Sequence, residues 1–189
     1  MDLNLFPTRI SEYNNKELAT QILPVVDEYL ALADTMMSID NHITTYINPE
    51  LSHRLNVDMR MKPAFDWCIE TALYELTKRG VDVRQLQLNP HFFVNEIRQG
   101  GYFHRHAHPN AIFSGVFYLD ATSETSDIVF YDPRPYKTCR VLPMLNNDDQ
   151  EFVSVSVETG KLLLWESWLE HEVVQNKSPR PRKTLVFNM

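Results

Sequence analysis

The sequence predicts an α+β chain: a mainly helical N-terminal part over residues 1–80, packed on one outer face of a jelly-roll core, a double-stranded β-helix, over residues 81–189. Three observations carry this. Before residue 80, apolar residues recur at helical spacing in two long stretches. After Val81 the period falls to two, and eight or nine short β-rich runs follow one another between turn residues. No linker, internal repeat or low-complexity segment divides the chain, so residues 1–189 are expected to form one domain, long enough to bury a core without disulfides. That many short strands need their edges resolved, and pairing two sheets does so.

Taken in order, residues 1–10 read as extended, with Pro7 blocking an early helix. From Ser11 to about Met37 the apolar set Leu18, Ile22, Val25, Val26, Tyr29, Leu30 and Leu32 predicts a helix that Pro24 kinks or splits. Ser38 to about Asp58 reads as a loop in which His42 and His53 are solvated. Residues 62–80 predict a second amphipathic helix around Phe65, Trp67, Ile69, Leu73 and Leu76, with Gly80 at its stop position. Strands are expected at about 83–88, 91–98, 102–108, 112–119, 127–131, 152–157, 161–166, 171–175 and 182–188. Residues 132–150, rich in Pro, Asn and Asp, form a long loop of the functional or mobile kind, and 176–181 a basic turn.

Composition narrows the partners. A net charge of −7 and a pI near 5.5 disfavour a broad grip on nucleic-acid phosphates, so a small-molecule or protein substrate is expected. Cys68 and Cys139 lie far apart and outside any CxxC, which reads as two free thiols. With no basic-then-apolar leader and no apolar run of membrane-spanning length, the expectation is a cytoplasmic protein with no membrane contact. The N-terminal helices offer a face for a homodimer.

The chemistry concentrates in residues 99–119. His104, His106 and His108 stand at every second position, so a strand through them would put three imidazoles on one face. That spacing suits a metal such as iron, zinc, copper or nickel, with a further ligand from elsewhere, and His171 in Trp-Leu-Glu-His-Glu-Val-Val is the candidate. Gly100 and Gly101 before the histidines, and Pro109 after them, bound a strand, turn, strand sequence that presents ligands at a barrel mouth.

Four stretches together carry a family resemblance. They are His106-Ala-His-Pro-Asn-Ala-Ile-Phe-Ser-Gly-Val-Phe-Tyr-Leu, Phe130-Tyr-Asp-Pro-Arg134, Gly160-Lys-Leu-Leu-Leu-Trp-Glu-Ser-Trp-Leu-Glu-His171 and Arg182-Lys-Thr-Leu-Val-Phe-Asn188. In these the C-terminal half resembles the 2-oxoglutarate and Fe(II)-dependent oxygenases, and among them a small bacterial and phage branch with a His-x-His-Pro-x-x-x-x-Ser-Gly-x-x-Tyr pattern. The resemblance implies a double-stranded β-helix that holds Fe(II), binds 2-oxoglutarate as cosubstrate, and couples its decarboxylation to succinate with hydroxylation of a substrate. It implies His106 and His171 as metal ligands, with His108 where such oxygenases usually carry a carboxylate. It implies Arg182 as the partner of the cosubstrate's far carboxylate and Tyr118 as a hydrogen-bond donor to the same group.

The departure from a carboxylate leaves His108 open to three readings: a direct ligand, a group behind the ligands, or a bystander while Asp132 completes the set. A planar guanidinium clamps a carboxylate through two parallel bonds, which suits Arg182 to its implied role, with Arg180 as fallback if the register slips. Asn95 and Ser114 are further candidates for cosubstrate contact, and His104 for the rim. Trp165 and Trp168 are expected to pack near His171, while Arg134 and Tyr136 could meet substrate from the long loop. No side chain is assigned as acid, base or nucleophile. Two rivals stand beside the oxygenase: a cupin-like or zinc-dependent enzyme built on the same three histidines, and a non-catalytic jelly roll that binds or scaffolds.

Overall fold

The structure, a computed structural model, describes residues 7–34, 41–134 and 151–189. Its elements run β1 (Ile10–Asn14), α1 (Lys16–Asp34), β2 (His42–Thr44), α2 (Pro49–Val57), α3 (Lys62–Lys78), β3 (His91–Ile97), β4 (Phe103–His106), β5 (Phe113–Asp120), β6 (Ile128–Tyr131), β7 (Phe152–Val155), β8 (Lys161–Glu166), β9 (His171–Val173) and β10 (Arg182–Asn188), with one 3-10 turn at Val83–Gln85.

Strands β3 to β10 make the jelly roll. Four of them lie in a larger sheet ordered β8-β5-β10-β3, which β1 and β2 extend at its two edges, and the other four form a smaller sheet ordered β4-β9-β6-β7. Each pairing is antiparallel. A period of two sorts the side chains of the larger sheet between two destinations. On β10, Leu185 and Phe187 face the helices, while Arg182, Thr184, Val186 and Asn188 face a cavity between the sheets. On β5, Phe113, Phe117 and Leu119 join Ile22, Val26 and Leu30 of α1 and Ala64, Cys68 and Ala72 of α3 in one apolar cluster. Val116 and Tyr118 of β5 join Phe130, Leu163, Trp165 and Val186 in a second cluster between the sheets. Gly115 allows the first cluster to close, because a Cβ there would lie 2.4 Å from the Phe187 ring and 2.8 Å from Leu164.

Three expectations change. Residues 11–14 are strand rather than helix: Ser11 and Tyr13 belong to β1, paired with β8, and α1 starts only after Asn15, whose side chain accepts the Leu18 N–H at 3.1 Å. The stretch read as a loop up to Asp58 contains β2 and α2. Asn48, which accepts the Leu51 N–H at 2.9 Å, and Pro49 behind it are an ordinary helix start that the short apolar pattern of α2 concealed. Finally, the run at 83–88 is not a strand, because the Asp82 side chain accepts the Arg84 N–H and closes a single 3-10 turn. Pro24 lies within an α1 that continues to Asp34 as one element. Gly80 ends the second long helix with φ 86°. Tyr136, Cys139 and residues 135–150 of the long loop lie outside the described residues.

Candidate metal centre

Between the two sheets lies a cavity of about 790 Å³. At one end β4 and β9 are neighbours whose register sets His106 opposite His171, with ring centroids 4.3 Å apart. His108 sits just beyond the end of β4, its ring 5.0 Å from each of the other two. Its backbone N–H donates to the Ser167 carbonyl at 2.9 Å, which ties this non-strand residue to the turn leading into β9. One ring nitrogen from each histidine lies within 4.8 Å of the others, the convergence a single ion requires.

Hydrogen bonds orient two of these rings. His106 Nδ1–H donates to the His104 carbonyl at 2.7 Å, and His171 Nδ1–H to the Leu169 carbonyl at 2.9 Å. Each bond leaves Nε2 with its lone pair for a metal. The imidazoles are also held neutral, the form that ligates. Burial lowers His171 to about 3, reinforced by His106 and His108 and opposed by its backbone bond. Burial and then His106 lower His108 to about 4, and burial lowers His106 against its bond to His104.

The other end of the cavity is cationic. Arg182, 2% exposed, donates from Nη2 to the Tyr118 hydroxyl at 3.2 Å and lies 4.8 Å over that ring. Among the described residues its Nε has no hydrogen-bond partner, nor has Thr184 Oγ1, while Asn95 Oδ1 and His42 Nε2 approach each other without a bond of good geometry, all buried against the same cavity. The cavity lining contains no Asp, Glu or Lys among the described residues. A buried guanidinium without a carboxylate partner is costly unless an anion completes it. The two ends therefore fit an imidazole-bound metal and a dicarboxylate reaching from it to Arg182.

The structure distributes the sequence candidates unequally. His106, His108, His171, Arg182 and Asn95 line the cavity. Tyr118 is fully buried, reaches Arg182 and stays protonated because burial raises its pKa. Ser114 does not line the cavity; its hydroxyl is taken up by Ser167 Oγ and Asn188 Oδ1, each at 2.7 Å. His104 is not on the ligand face, because a register shift between Phe103 and His106 turns it outward and leaves Phe103 lining the cavity. Its contribution is the carbonyl that holds His106. Asp132 is engaged by Arg134, with Nη2 at 2.6 Å, and is not part of the histidine group. Arg180 turns away to Asp120 at 3.1 Å. Trp165 is fully buried with its ring edge-on to His171, whereas Trp168 is exposed and donates to Glu166. The residue the sequence reading missed is His42, a cavity wall rather than a solvated loop side chain. A three-residue strand gives too short a period for alternation to place it.

Comparison with known proteins supplies the deciding observation. Residues 91–188, just over half the chain, match the family described as "Putative 2OG-Fe(II) oxygenase". The chain belongs to that family. It is an Fe(II) and 2-oxoglutarate-dependent oxygenase, an oxidoreductase. No curated protein matches this oxygenase in sequence. Among solved structures it is similar in fold to a prolyl-4-hydroxylase from Pseudomonas putida, with 13% identity over 96% of this chain and 92% of that one and a TM-score of 0.64. A Trichoplax adhaerens prolyl hydroxylase in complex with a hypoxia-inducible-factor peptide gives 14% identity, 95% and 82% coverage and a TM-score of 0.59. HygX from Streptomyces hygroscopicus, with nickel and 2-oxoglutarate bound, gives 12%, 96% and 82%, and 0.58. No helix of the described residues is long and apolar enough to cross a membrane.

Proposed function

We propose that the oxygenase holds its iron through His106, His108 and His171, pairs the far carboxylate of 2-oxoglutarate with Arg182, and hydroxylates a neutral small molecule or protein side chain that enters between the sheets. The observation that carries this is the presence, in one cavity, of three convergent neutral imidazoles and a buried arginine that has no carboxylate partner among the described residues. His108 takes the place of a carboxylate, so the ligand set brings no negative charge and the dianionic cosubstrate supplies the neutralisation. Tyr118 acts by fixing the guanidinium it accepts from, and Asn95 offers an amide beside it. When bound, iron and 2-oxoglutarate would, with dioxygen as oxidant, supply the oxidative decarboxylation to succinate and CO2 in which one oxygen atom enters succinate and the other a substrate C–H bond. The protein's share is to orient and to exclude water, and the apolar walls Phe93, Val116, Ile128 and Val186 serve the latter. The chain is read as one domain, supported by the helices and the larger sheet sharing one apolar cluster, and as a cytoplasmic protein.

The test is an anaerobic titration of the Fe(II)-loaded protein with 2-oxoglutarate, followed by the visible charge-transfer band that needs metal and chelate together. The wild type develops the band. Arg182→Ala is expected to weaken 2-oxoglutarate binding about 10- to 100-fold, the worth of a charge-assisted pair, while Fe(II) still binds. A band that titrates equally in both proteins would refute the role of Arg182.

A further inference from the structure

We infer that His42, contributed by a strand outside the family-matched segment, is a hydrogen-bonding ligand for the distal carboxylate of 2-oxoglutarate, with Thr184 beside it. The matched segment begins at residue 91, and β2 lies before it. The register of the larger sheet brings the groups together: His42 and Arg182 both stand opposite Ile97, one from each side, and Thr44 and Thr184 both stand opposite Asn95. Neighbours opposite one another in a sheet share a face, so His42, Asn95, Arg182 and Thr184 all look into the cavity. Among the described residues, Arg182 Nε and Thr184 Oγ1 are buried without a hydrogen-bond partner, and His42 Nε2 and Asn95 Oδ1 lie close enough to interact with each other but form no bond of good geometry. Native interiors leave few such atoms, and four around one end of one cavity mark a place where a ligand completes the bonds. Two imidazole or hydroxyl donors flanking a guanidinium match a carboxylate, whose two oxygens offer about four acceptor sites.

The seat is on the correct side of the metal group. The His42 ring packs edge-on to Phe103 at 5.2 Å, and Phe103 packs edge-on to His106 at 4.5 Å, so one phenyl ring separates His42 from the ligands. His42 is therefore out of reach of the ion and within reach of the end of a molecule that spans from the ion to Arg182.

This inference rests on Arg182 as the carboxylate partner, and the experiment separates the two. Apparent affinities for 2-oxoglutarate and for pyruvate, a 2-oxo acid without the distal carboxylate, are measured anaerobically on the Fe(II)-loaded wild type, His42→Phe, His42→Gln and Arg182→Ala, alongside Fe(II) affinity by chelator competition. His42→Phe keeps an aromatic ring against Phe103 but removes the donor. It is expected to bind 2-oxoglutarate about ten-fold more weakly or worse, with pyruvate and Fe(II) affinities unchanged, and His42→Gln is expected to recover most of the loss. If His42→Phe binds 2-oxoglutarate as the wild type does, or loses pyruvate in equal measure, His42 is not a ligand of the distal carboxylate. An Arg182→Ala protein that binds 2-oxoglutarate like the wild type overturns the arginine assignment instead, whatever the His42 variants do.

Discussion

At the scale of single residues, His108 is the position where this oxygenase departs most from a carboxylate-containing ligand set. It alone of the three histidines lies outside a strand, held by its backbone bond to Ser167, and among the described residues its ring has no anchoring hydrogen bond. His106 and His171, by contrast, are oriented by carbonyls two residues before them. The expected hierarchy follows. His171→Ala abolishes stoichiometric Fe(II) binding, His108→Ala weakens it by about 10- to 100-fold, on the order seen when support around a metal is removed, and His108→Asp restores binding by returning a carboxylate. Iron analysis after anaerobic reconstitution and desalting distinguishes these cases; equal iron content in His108→Ala and the wild type would remove His108 from the ligand set. The sequence made His106 and His171 legible because residue type and spacing suggest metal ligation, whereas Arg182, in a basic stretch with Arg180 and Lys183, was legible only through the family resemblance. The sequence could not reveal His42, whose meaning depends on a register across two other strands, nor that Ser114 spends its hydroxyl on Ser167 and Asn188.

At the scale of elements, the turn between β8 and β9 holds both halves of the metal site together. Glu166 accepts from Arg79 Nη1 at 3.0 Å and from Trp168 Nε1 at 2.6 Å, while Ser167 donates its N–H to Ile112 and receives the N–H of His108. The core strands of the larger sheet, β3, β5, β8 and β10, were readable because each has one face on the helices and one on the space between the sheets, so alternation survives even where both faces are buried. β1 and β2 were not, being short edge strands whose order depends on β8 and β3. Nor can a pattern of two report a bulge, which is why three histidines that alternate in sequence do not share a face. Packing of the larger sheet against the helices yields a separate prediction. Gly115→Ala places a methyl group against Phe187 and Leu164 and is expected to cost about 1–3 kcal/mol, a fall in melting temperature of roughly 2–10 °C for a chain of this size. Because residue 115 faces the helices, Fe(II) affinity should stay within about two-fold of the wild type, a limit set by the distance over which such effects stay additive. An unchanged melting temperature would mean that Phe187 moves aside freely.

At the scale of the whole molecule, the buried imidazoles make folding of the metal-free chain sensitive to pH. His171 and His108 titrate near 3 and 4 in the folded chain and near 6.5 when unfolded. Between those limits the unfolded chain binds more protons, so stability falls as pH drops from about 6.5 towards 4 and is fully present only above 6.5. Asp58 adds a second, more acidic window. The Arg60 side chain, against the cost of burial and with further bonds from the Arg60 backbone and Tyr29, holds this carboxyl at about 2 rather than 3.8, so its contribution disappears only as pH falls through 3.8 towards 2. Thermal unfolding of chelator-treated protein should therefore show a melting temperature that declines by several degrees from pH 7 to pH 5, where the carboxylate at 58 cannot yet be the cause. The decline should become shallower in a His108→Asn/His171→Asn double variant, which removes the two most strongly shifted of the imidazoles that gain protons on unfolding, leaving His106, His42 and His91 to account for the remainder. Saturating metal raises the whole curve at pH 7 by mass action on the folded state, and that gain should shrink with acidification, since protons and metal compete for the same nitrogen lone pairs. A melting temperature level from pH 7 to pH 5 in the metal-free wild type would mean that the three rings are solvated enough to charge in place, and a cavity that wet could not keep water from the chemistry proposed for it.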